Sequence, residues 1–249
     1  MTTSYDELPH DRTVLETPSR VLTVGAHPDD AEFGAGATLA RWADGGATIT
    51  MCIVTDGSKG SWDPTIPHDE LIATRRVEQE DARRVIGAAD VRFLDEVDGE
   101  LESTSRLTDR IAMVIRETRP DVLLTHDPWQ RYQLHPDHRA TGWSTLDAVV
   151  RAREPRSRLD TDLPEHRPRA VLLWSADEPD HCETADAAFV SRKIDALLCH
   201  ASQAETTMDD ATASEDHRTA FAERIETWMA GQGEGFGVGP AETFKRLTP

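Results

Sequence analysis

Short apolar segments alternate with longer amphipathic ones along most of the chain. The short segments are rich in β-branched and aliphatic side chains, which is typical of buried strands. They lie at residues 21–24, 47–55, 91–94, 121–125 and 170–174. Apolar residues spaced to cover one helical face predict helices at residues 31–43, 69–86, 105–118, 136–151, 187–199 and 215–229. This alternation predicts an α/β fold, a Rossmann-like three-layer α/β/α arrangement with a mainly parallel sheet.

The regular alternation also predicts one domain over residues 1–249, a length that suffices for one large core. Residues 1–20 are polar and contain prolines, without the apolar core of a signal peptide, so we expect a loose N-terminal arm. The glycine-rich stretch at residues 231–239 is expected to close the chain over something rather than to pack a core, and residues 231–249 are expected to form a C-terminal closing segment.

The charge balance narrows the range of partners. The chain carries 27 basic and 46 acidic residues, a net charge of −19. Such a field repels nucleic acid and anionic membranes, so neither is expected as a partner. No stretch approaches the roughly 18 apolar residues of a membrane span. Three cysteines without paired spacing favour a reducing compartment, and we expect a cytoplasmic protein.

The first candidate chemistry follows the strand at residues 21–24. There the chain reads His27-Pro28-Asp29-Asp30 and then turns helical. Ligands of an open parallel sheet bind at this carboxyl edge of the strands. A dinucleotide-binding turn would carry glycines at this position, whereas this turn carries one histidine and two aspartates. The segment therefore favours metal binding or proton transfer.

A second polar segment follows the strand at residues 121–125, so it belongs at the same edge. It contains His135-Pro136-Asp137-His138, in which Pro136 predicts the start of a helix. A catalytic zinc takes three protein ligands and leaves one position open. Four candidates are present: His27, Asp30, His135 and His138. The candidate left off the metal would serve as an acid or base beside it.

The ordinary alternative is a turn in which the aspartate caps the next helix. That interpretation suits a single His-Pro-Asp segment, but two such segments at one sheet edge favour a site. At these motifs the sequence resembles the PIG-L/LmbE family of zinc-dependent N-deacetylases. Thr55-Asp56-Gly57, residues 75–80 and residues 200–203 are similar to other landmarks of the family. Within it, residues 127–142 look most like the diacetylchitobiose deacetylases.

The resemblance implies a role for each motif residue. One zinc ion per chain would be held by His27, Asp30 and His138. Asp29 would be the general base that takes a proton from the zinc-bound water. His135, when protonated, would stabilise the oxyanion, and the neighbouring Asp137 would orient and charge that imidazole. Arg75 resembles a position that contacts substrate.

The implied reaction is removal of the acetyl group from an N-acetylglucosamine-type amino sugar or its conjugate. Trp129 and Trp62, on loops expected beside the metal, could stack on a sugar face; their alternative role is packing. Two other functions stay open: an amidase for a thiol conjugate of the mycothiol kind, and a catalytically silent sugar-binding module of the same fold. The resemblance further implies a possible homo-oligomer, a trimer or hexamer. Residues 231–239 and the nearby Trp228 and Phe236 could form its contact, and the alternative for this segment is an intrachain lid.

Overall fold

The computed structural model describes residues 14–249, so residues 1–13 of the predicted N-terminal arm lie outside the described part of the chain. Its strands are β1 (Arg20–Gly25), β2 (Thr48–Thr55), β3 (Asp90–Glu96), β4 (Val122–His126), β5 (Ala170–Trp174), β6 (His181–Thr184) and β7 (Ala241–Leu247). Its helices are α1 (Asp30–Asp44), α2 (His68–Ile86), α3 (Ser105–Thr118), α4 (Pro136–Arg153), α5 (Ala187–Leu197), α6 (Ala204–Thr207) and α7 (Glu215–Glu234). Over residues 14–249, none of these helices is both long and apolar enough to cross a bilayer.

The seven strands form one sheet in the order β3-β2-β1-β4-β5-β7-β6. The first five in that order run parallel, and β7 pairs antiparallel with both β5 and β6. Successive side chains of β1 enter different cores: Val21 packs with α1 and α2, whereas Leu22 packs with α3 and α4. Helices therefore cover both faces, and the predicted three-layer α/β/α fold with a mainly parallel sheet is confirmed.

The C-terminal part differs from the sequence prediction. Residues 231–234 belong to α7, and residues 241–247 form a strand inside the sheet, with Phe244 fully buried. The sequence analysis does not predict strand β7, and the closing role of residues 231–249 stays a prediction. Strand β6 has four residues, HCET, and β7 reads AETFKRL, so neither carries the apolar run that marks the parallel strands.

The strand order places a crevice between β1 and β4. The chain moves outward from β1 to β3 and then returns to add β4 on the other side of β1. The loops that leave the carboxyl ends of β1 and β4 consequently diverge, which is the geometry of ligand sites in open α/β sheets. Both histidine-containing segments begin at this point.

Two glycines let α1 approach its neighbours closely. A Cβ atom on Gly34 would lie 2.6 Å from the ring of Trp174, and one on Gly36 would lie 2.9 Å from Cγ of Lys193. Both distances are below those of real contacts, so larger residues would push α1 away from β5 and α5. The glycines after the first motif thus serve helix packing.

A buried ion pair completes the hydrogen bonds of α1 where the helix is kinked. One residue in its second turn has a non-helical φ of −151°. The N–H groups of Ala37 and Thr38 donate to the Glu242 carboxylate at 3.1 and 2.8 Å. The ammonium of Lys193 donates to Glu242 at 2.6 Å and to the carbonyl oxygen of Phe33 at 2.7 Å. The pair therefore joins α1, α5 and β7 inside the protein.

Removing one partner of this pair should destabilise the fold strongly. Lys193→Met leaves the Glu242 carboxylate buried without its counter-charge, and the free energy of unfolding should fall by about 3–5 kcal/mol. Urea denaturation measures the change. Lys245→Met is the matched control, because Lys245 pairs with Asp180 at 2.7 Å with both side chains partly exposed, and its loss should be much smaller. Equal losses in the two variants would contradict the stabilising role of the buried pair.

Candidate active site

A cleft of about 710 Å³ opens at the carboxyl ends of β1 and β4. Six of the residues predicted from sequence line it: His27, Asp29, Asp30, Arg75, His135 and His138. Aromatic walls are supplied by Phe33, Trp62, Trp174 and Trp228. The structure thus brings the two histidine-containing segments together in one cavity that has a polar floor and apolar sides.

The carboxylate of Asp30 is anchored through one of its oxygens. Its Oδ2 accepts the backbone N–H of His27 at 2.7 Å and lies 3.0 Å from Nε2 of His126. The indole N–H of Trp174 donates to Nδ1 of His126 at 3.0 Å, and an indole nitrogen can only donate. The backbone N–H of Ala26 also faces Nε2, at 3.3 Å, but the Asp30 carboxylate is nearer, so we assign the ring hydrogen of His126 to Nε2. Burial lowers the pKa of His126 to about 4, which agrees with a neutral ring. Oδ1 of Asp30 is left to face Nε2 of His138 at 3.3 Å.

The ring of His27 is fixed by carboxylates on its far nitrogen. Nε2 of His27 lies 3.2 Å from Oδ2 of Asp137 and 3.1 Å from Oδ1 of Asp98. The Asp137 carboxylate also accepts two backbone N–H groups of the loop after β3, at 2.6 and 3.2 Å. Burial acts to lower the pKa of His27, but these carboxylates and Asp30 raise it well above its usual value. The Nε2 hydrogen is directed at the carboxylates, so Nδ1 is the nitrogen that would bind a metal ion once its own proton is lost.

These residues fit a divalent metal ion. Nδ1 of His27 lies 3.6 Å from Asp30, and the ring centroids of His27 and His138 are 5.3 Å apart. Two imidazoles and one carboxylate form a donor set that zinc accepts, with carboxylates supporting the ligating rings. Neighbouring donors overlap with this set: His135 groups with His27 and His138 within 4.8 Å, and His126 groups with Asp30 and His138. The choice of His27, Asp30 and His138 as ligands therefore stays a prediction.

Asp29 precedes α1 in a left-handed conformation, with a φ of 99°. Its side chain makes no capping hydrogen bond, so the alternative of an ordinary helix cap does not describe it. Burial raises the pKa of Asp29 to about 6, although the nearby Arg75 guanidinium, 3.6 Å from its Oδ2, acts to lower it. The Asp29 carboxylate makes no capping hydrogen bond and lies beside the residues that fit a metal ion, so it is suited to accept a proton.

Arg75 is more buried than a surface substrate contact would be, with 2% of its area exposed. Its two terminal nitrogens donate to the carbonyl oxygens of Pro28 and Gly57, at 2.8 and 3.1 Å. The residue thus positions the loop that carries Asp29. Its contact with substrate stays a prediction.

The structure gives Asp137 a different partner from the one expected. Its carboxylate bonds to His27, and only its backbone N–H reaches Nδ1 of His135, at 3.3 Å. We therefore assign the hydrogen of the neutral His135 ring to Nε2. Burial lowers the pKa of His135, and the neighbouring His27 and His138 lower it further. The expectation that Asp137 orients and charges His135 is corrected: in this structure its carboxylate supports His27.

The two predicted tryptophans lie in different places. Trp62 lines the cleft and is 69% exposed. Trp129 instead lines a neighbouring depression of about 360 Å³ together with Asp127 and Lys245, and it packs edge-to-face on Trp143. Stacking of Trp129 on a sugar in the cleft itself is not favoured by this position, and its substrate contact stays a prediction.

Sequence patterns missed the supporting residues of the site. His126 is the last residue of β4, where the second polar segment begins, but its role depends on a hydrogen bond from Trp174, which lies 48 positions later in the chain. Asp98 stands in the loop after β3, where a lone aspartate is ordinarily a turn residue. Only the folded contact between that loop and His27 shows its place.

Replacing the Asp137 carboxylate should weaken metal binding. Asp137→Asn removes the anionic partner of His27, and loss of such a supporting carboxylate typically reduces metal affinity by about 10- to 100-fold. Zinc titration against a competing chelator measures the affinity. Asp127→Asn is the control, because Asp127 caps a turn at Trp129 and bonds to no histidine ring. Unchanged affinity in Asp137→Asn would show that this carboxylate does not support a ligand.

Known proteins share the sequence pattern of this chain. The model of the family described as PIG-L, GlcNAc-PI de-N-acetylase, matches residues 22–149. A diacetylchitobiose deacetylase of Thermococcus kodakarensis is 34% identical over 188 residues, which are 74% of this chain and 70% of that relative. A 1D-myo-inositol 2-acetamido-2-deoxy-alpha-D-glucopyranoside deacetylase of Kineococcus radiotolerans is 34% identical over 175 residues, 58% of this chain and 48% of that relative.

The fold is shared as well. The solved structure of N,N'-diacetylchitobiose deacetylase from Pyrococcus horikoshii, in complex with its inhibitor MPG, matches with a TM-score of 0.82 at 27% sequence identity. The match covers 93% of this chain and 84% of that one. The segment matched by the family model contains every residue predicted for the site, from His27 to His138.

Proposed function

Because the chain belongs to the PIG-L family, we propose that it is a zinc-dependent hydrolase that removes the acetyl group from an N-acetylglucosamine-type amino sugar. The observation that carries the proposal is the Asp29 carboxylate, which caps no helix and lies beside His27, Asp30 and His138, the three residues that fit a metal ion. The relatives support the substrate class, since those described above are named as deacetylases of such sugars. An intact set of these residues argues against a catalytically silent sugar-binding module.

The residues divide the work of amide hydrolysis. Zinc held by His27, Asp30 and His138 would lower the pKa of a water molecule to about 7 and polarise the amide. Asp29 accepts the proton of the attacking water and returns it to the departing nitrogen as the C–N bond breaks. The products are acetate and a free 2-amino group. Nε2–H of His135 donates to the amide oxygen as its charge develops, an interaction whose loss typically costs about 2.7–4 kcal/mol.

The cleft favours a neutral sugar as substrate. Trp62 and Trp228 line its walls and are 69% and 41% exposed, and aromatic side chains offer apolar surface against which a sugar ring can pack. The net charge of −19 slows the approach of a polyanionic ligand, whereas an N-acetylglucosamine unit or its β-linked disaccharide meets no such repulsion. The inositol-linked relative is named as a deacetylase of a conjugated N-acetyl sugar, which supports conjugates as a further substrate class, and a thiol conjugate stays the second candidate.

The assembly and the location of the protein stay predictions. Trp228 of α7, three residues before the segment considered for a subunit contact, lines the cleft of its own chain, which supports an intrachain wall there. The trimer or hexamer, like the cytoplasmic location, rests on the sequence argument given above.

Zinc-loaded protein should release acetate from N-acetylglucosamine or from its β-linked disaccharide and leave the glycosidic bond intact. The assay measures acetate and new primary amine, with an N-acetylglucosaminyl-inositol and a thiol conjugate as further substrates. The chelator-treated protein is the control and should be inactive until zinc is restored. If only the thiol conjugate is cleaved, the substrate is a thiol conjugate and not an N-acetylglucosamine-type sugar. If no substrate reacts while zinc is bound, the result favours the catalytically silent sugar-binding module.

Asp29→Asn should separate the base from the metal ligand beside it. The amide cannot accept a proton, so kcat should fall by about 10²- to 10⁴-fold while the zinc content stays at that of the wild type. Elemental analysis and initial rates measure the two quantities. Asp90→Asn, at the amino end of β3, is the control and should change neither. Loss of zinc from Asp29→Asn would reverse the roles of Asp29 and Asp30.

A further inference from the structure

One face of α2 holds both polar groups of the peptide that joins Pro28 to Asp29. Nη2 of Arg75 donates to the carbonyl oxygen of Pro28 at 2.8 Å. Oε1 of Gln79 accepts the backbone N–H of Asp29 at 3.2 Å. Arg75 and Gln79 are four positions apart, so they lie on the same side of the helix, one turn from each other. The orientation of this peptide is therefore fixed from both ends.

The amide of Gln79 is itself oriented by a second buried residue. Its Nε2 donates to Oε1 of Glu32 at 2.7 Å, and both side chains have no exposed area. A carboxylate only accepts hydrogen bonds, so the amide must present its nitrogen to Glu32 and its oxygen to Asp29. Glu32 lies in the first turn of α1, where the helix dipole favours negative charge.

His200 stands behind this pair. Its Nε2 lies 3.8 Å from Oε1 of Glu32, and the ring is fully buried. Among residues 14–249, neither of its ring nitrogens has a hydrogen-bond partner. The imidazole is thus placed to balance the charge of Glu32, which would otherwise lie unpaired in the interior. The residues Gln79, Glu32 and His200 form a chain from the protein interior to the backbone of Asp29.

The backbone of Asp29 needs such support. A residue other than glycine in the left-handed region persists only when its surroundings hold it there. At Asp29 this conformation separates two adjacent carboxylates: Asp30 faces His126 and His138, while the Asp29 carboxylate makes no hydrogen bond to the helix that follows. A relaxed backbone would turn the Asp29 carboxylate away from this position.

We propose that Gln79 is a positioning residue for the general base, with Glu32 and His200 holding its amide in the orientation that supports the peptide between Pro28 and Asp29. The inference rests on the proposed function, since it takes Asp29 to be the base. The hydrogen bonds and the ion pair described for Gln79, Glu32 and His200 involve none of the three predicted metal ligands, so their effect should fall on proton transfer and leave zinc binding unchanged.

Gln79→Met tests the proposal, because methionine fills the same space without a comparable acceptor or donor. We expect kcat to fall by about 10- to 100-fold, the cost of misplacing a catalytic group, with KM and zinc content unchanged. A crystal structure of the variant should show residue 29 outside the left-handed region. Arg83→Met is the control on the same helix: it removes a hydrogen bond to the carbonyl of Ala88 and should lower stability without changing kcat.

Exchanging the side chains at positions 79 and 32 provides a second test, which decides the proposal if Gln79→Met fails to fold. Gln79→Glu alone sets two carboxylates against each other and should lose activity. Adding Glu32→Gln restores a donor, because the carboxylate introduced at position 79 accepts both the N–H of Asp29 and the amide introduced at position 32. The double variant should regain most of kcat.

Full activity in Gln79→Met, or no recovery in the exchanged pair, would overturn the proposal. If wild-type protein with zinc releases no acetate, the proposed function fails instead. In that case the structure of Gln79→Met still decides the positioning role: a residue 29 that stays left-handed would overturn it.

Discussion

Charged side chains in the interior are each held by a backbone group or by a partner of opposite charge, and helix α1 depends on two such arrangements. At its kink, Glu242 and Lys193 bond to the peptide groups that the distorted turn leaves free. At its start, Asp30 is bonded by the N–H of His27 and by His126. An unpaired buried charge is strongly destabilising, so the position of this helix and the geometry of the cleft are determined together.

The need to bond buried charges also gives the neighbouring Asp29 and Asp30 different surroundings. Oδ2 of Asp30 makes structural hydrogen bonds, so only the other oxygen of this carboxylate faces the cleft. The Asp29 side chain makes no capping hydrogen bond. Their difference arises in the backbone, since Asp29 is left-handed and Asp30 begins the helix. A motif of two identical side chains therefore yields two chemical environments within one turn.

Much of the fold could be predicted because it is encoded locally. The apolar runs of β1, β2, β4 and β5 and the start of α4 at Pro136 are visible without any tertiary information. Strands β6 and β7 could not be predicted from the apolar pattern, since their pairing with β5 is antiparallel and their sequences are short or polar. The cluster of His27, Asp30 and His138 follows from two segments at one sheet edge. The pairing of His27 with the Asp98 and Asp137 carboxylates could not be predicted, because loops and helices distant in sequence meet only after folding.

The contact between Glu242 and the middle of α1 joins residues that are 205 positions apart. Loop closure over such a distance carries an entropic cost that local helix formation does not. During synthesis the first helix leaves the ribosome long before the strand that completes its hydrogen bonds, and contacts of this range form slowly. Until residue 242 has been made, the peptide groups at the kink of α1 lack the carboxylate to which they bond in the folded protein. The catalytic cleft, which begins at the first turn of that helix, therefore matures only when the last strand joins the sheet.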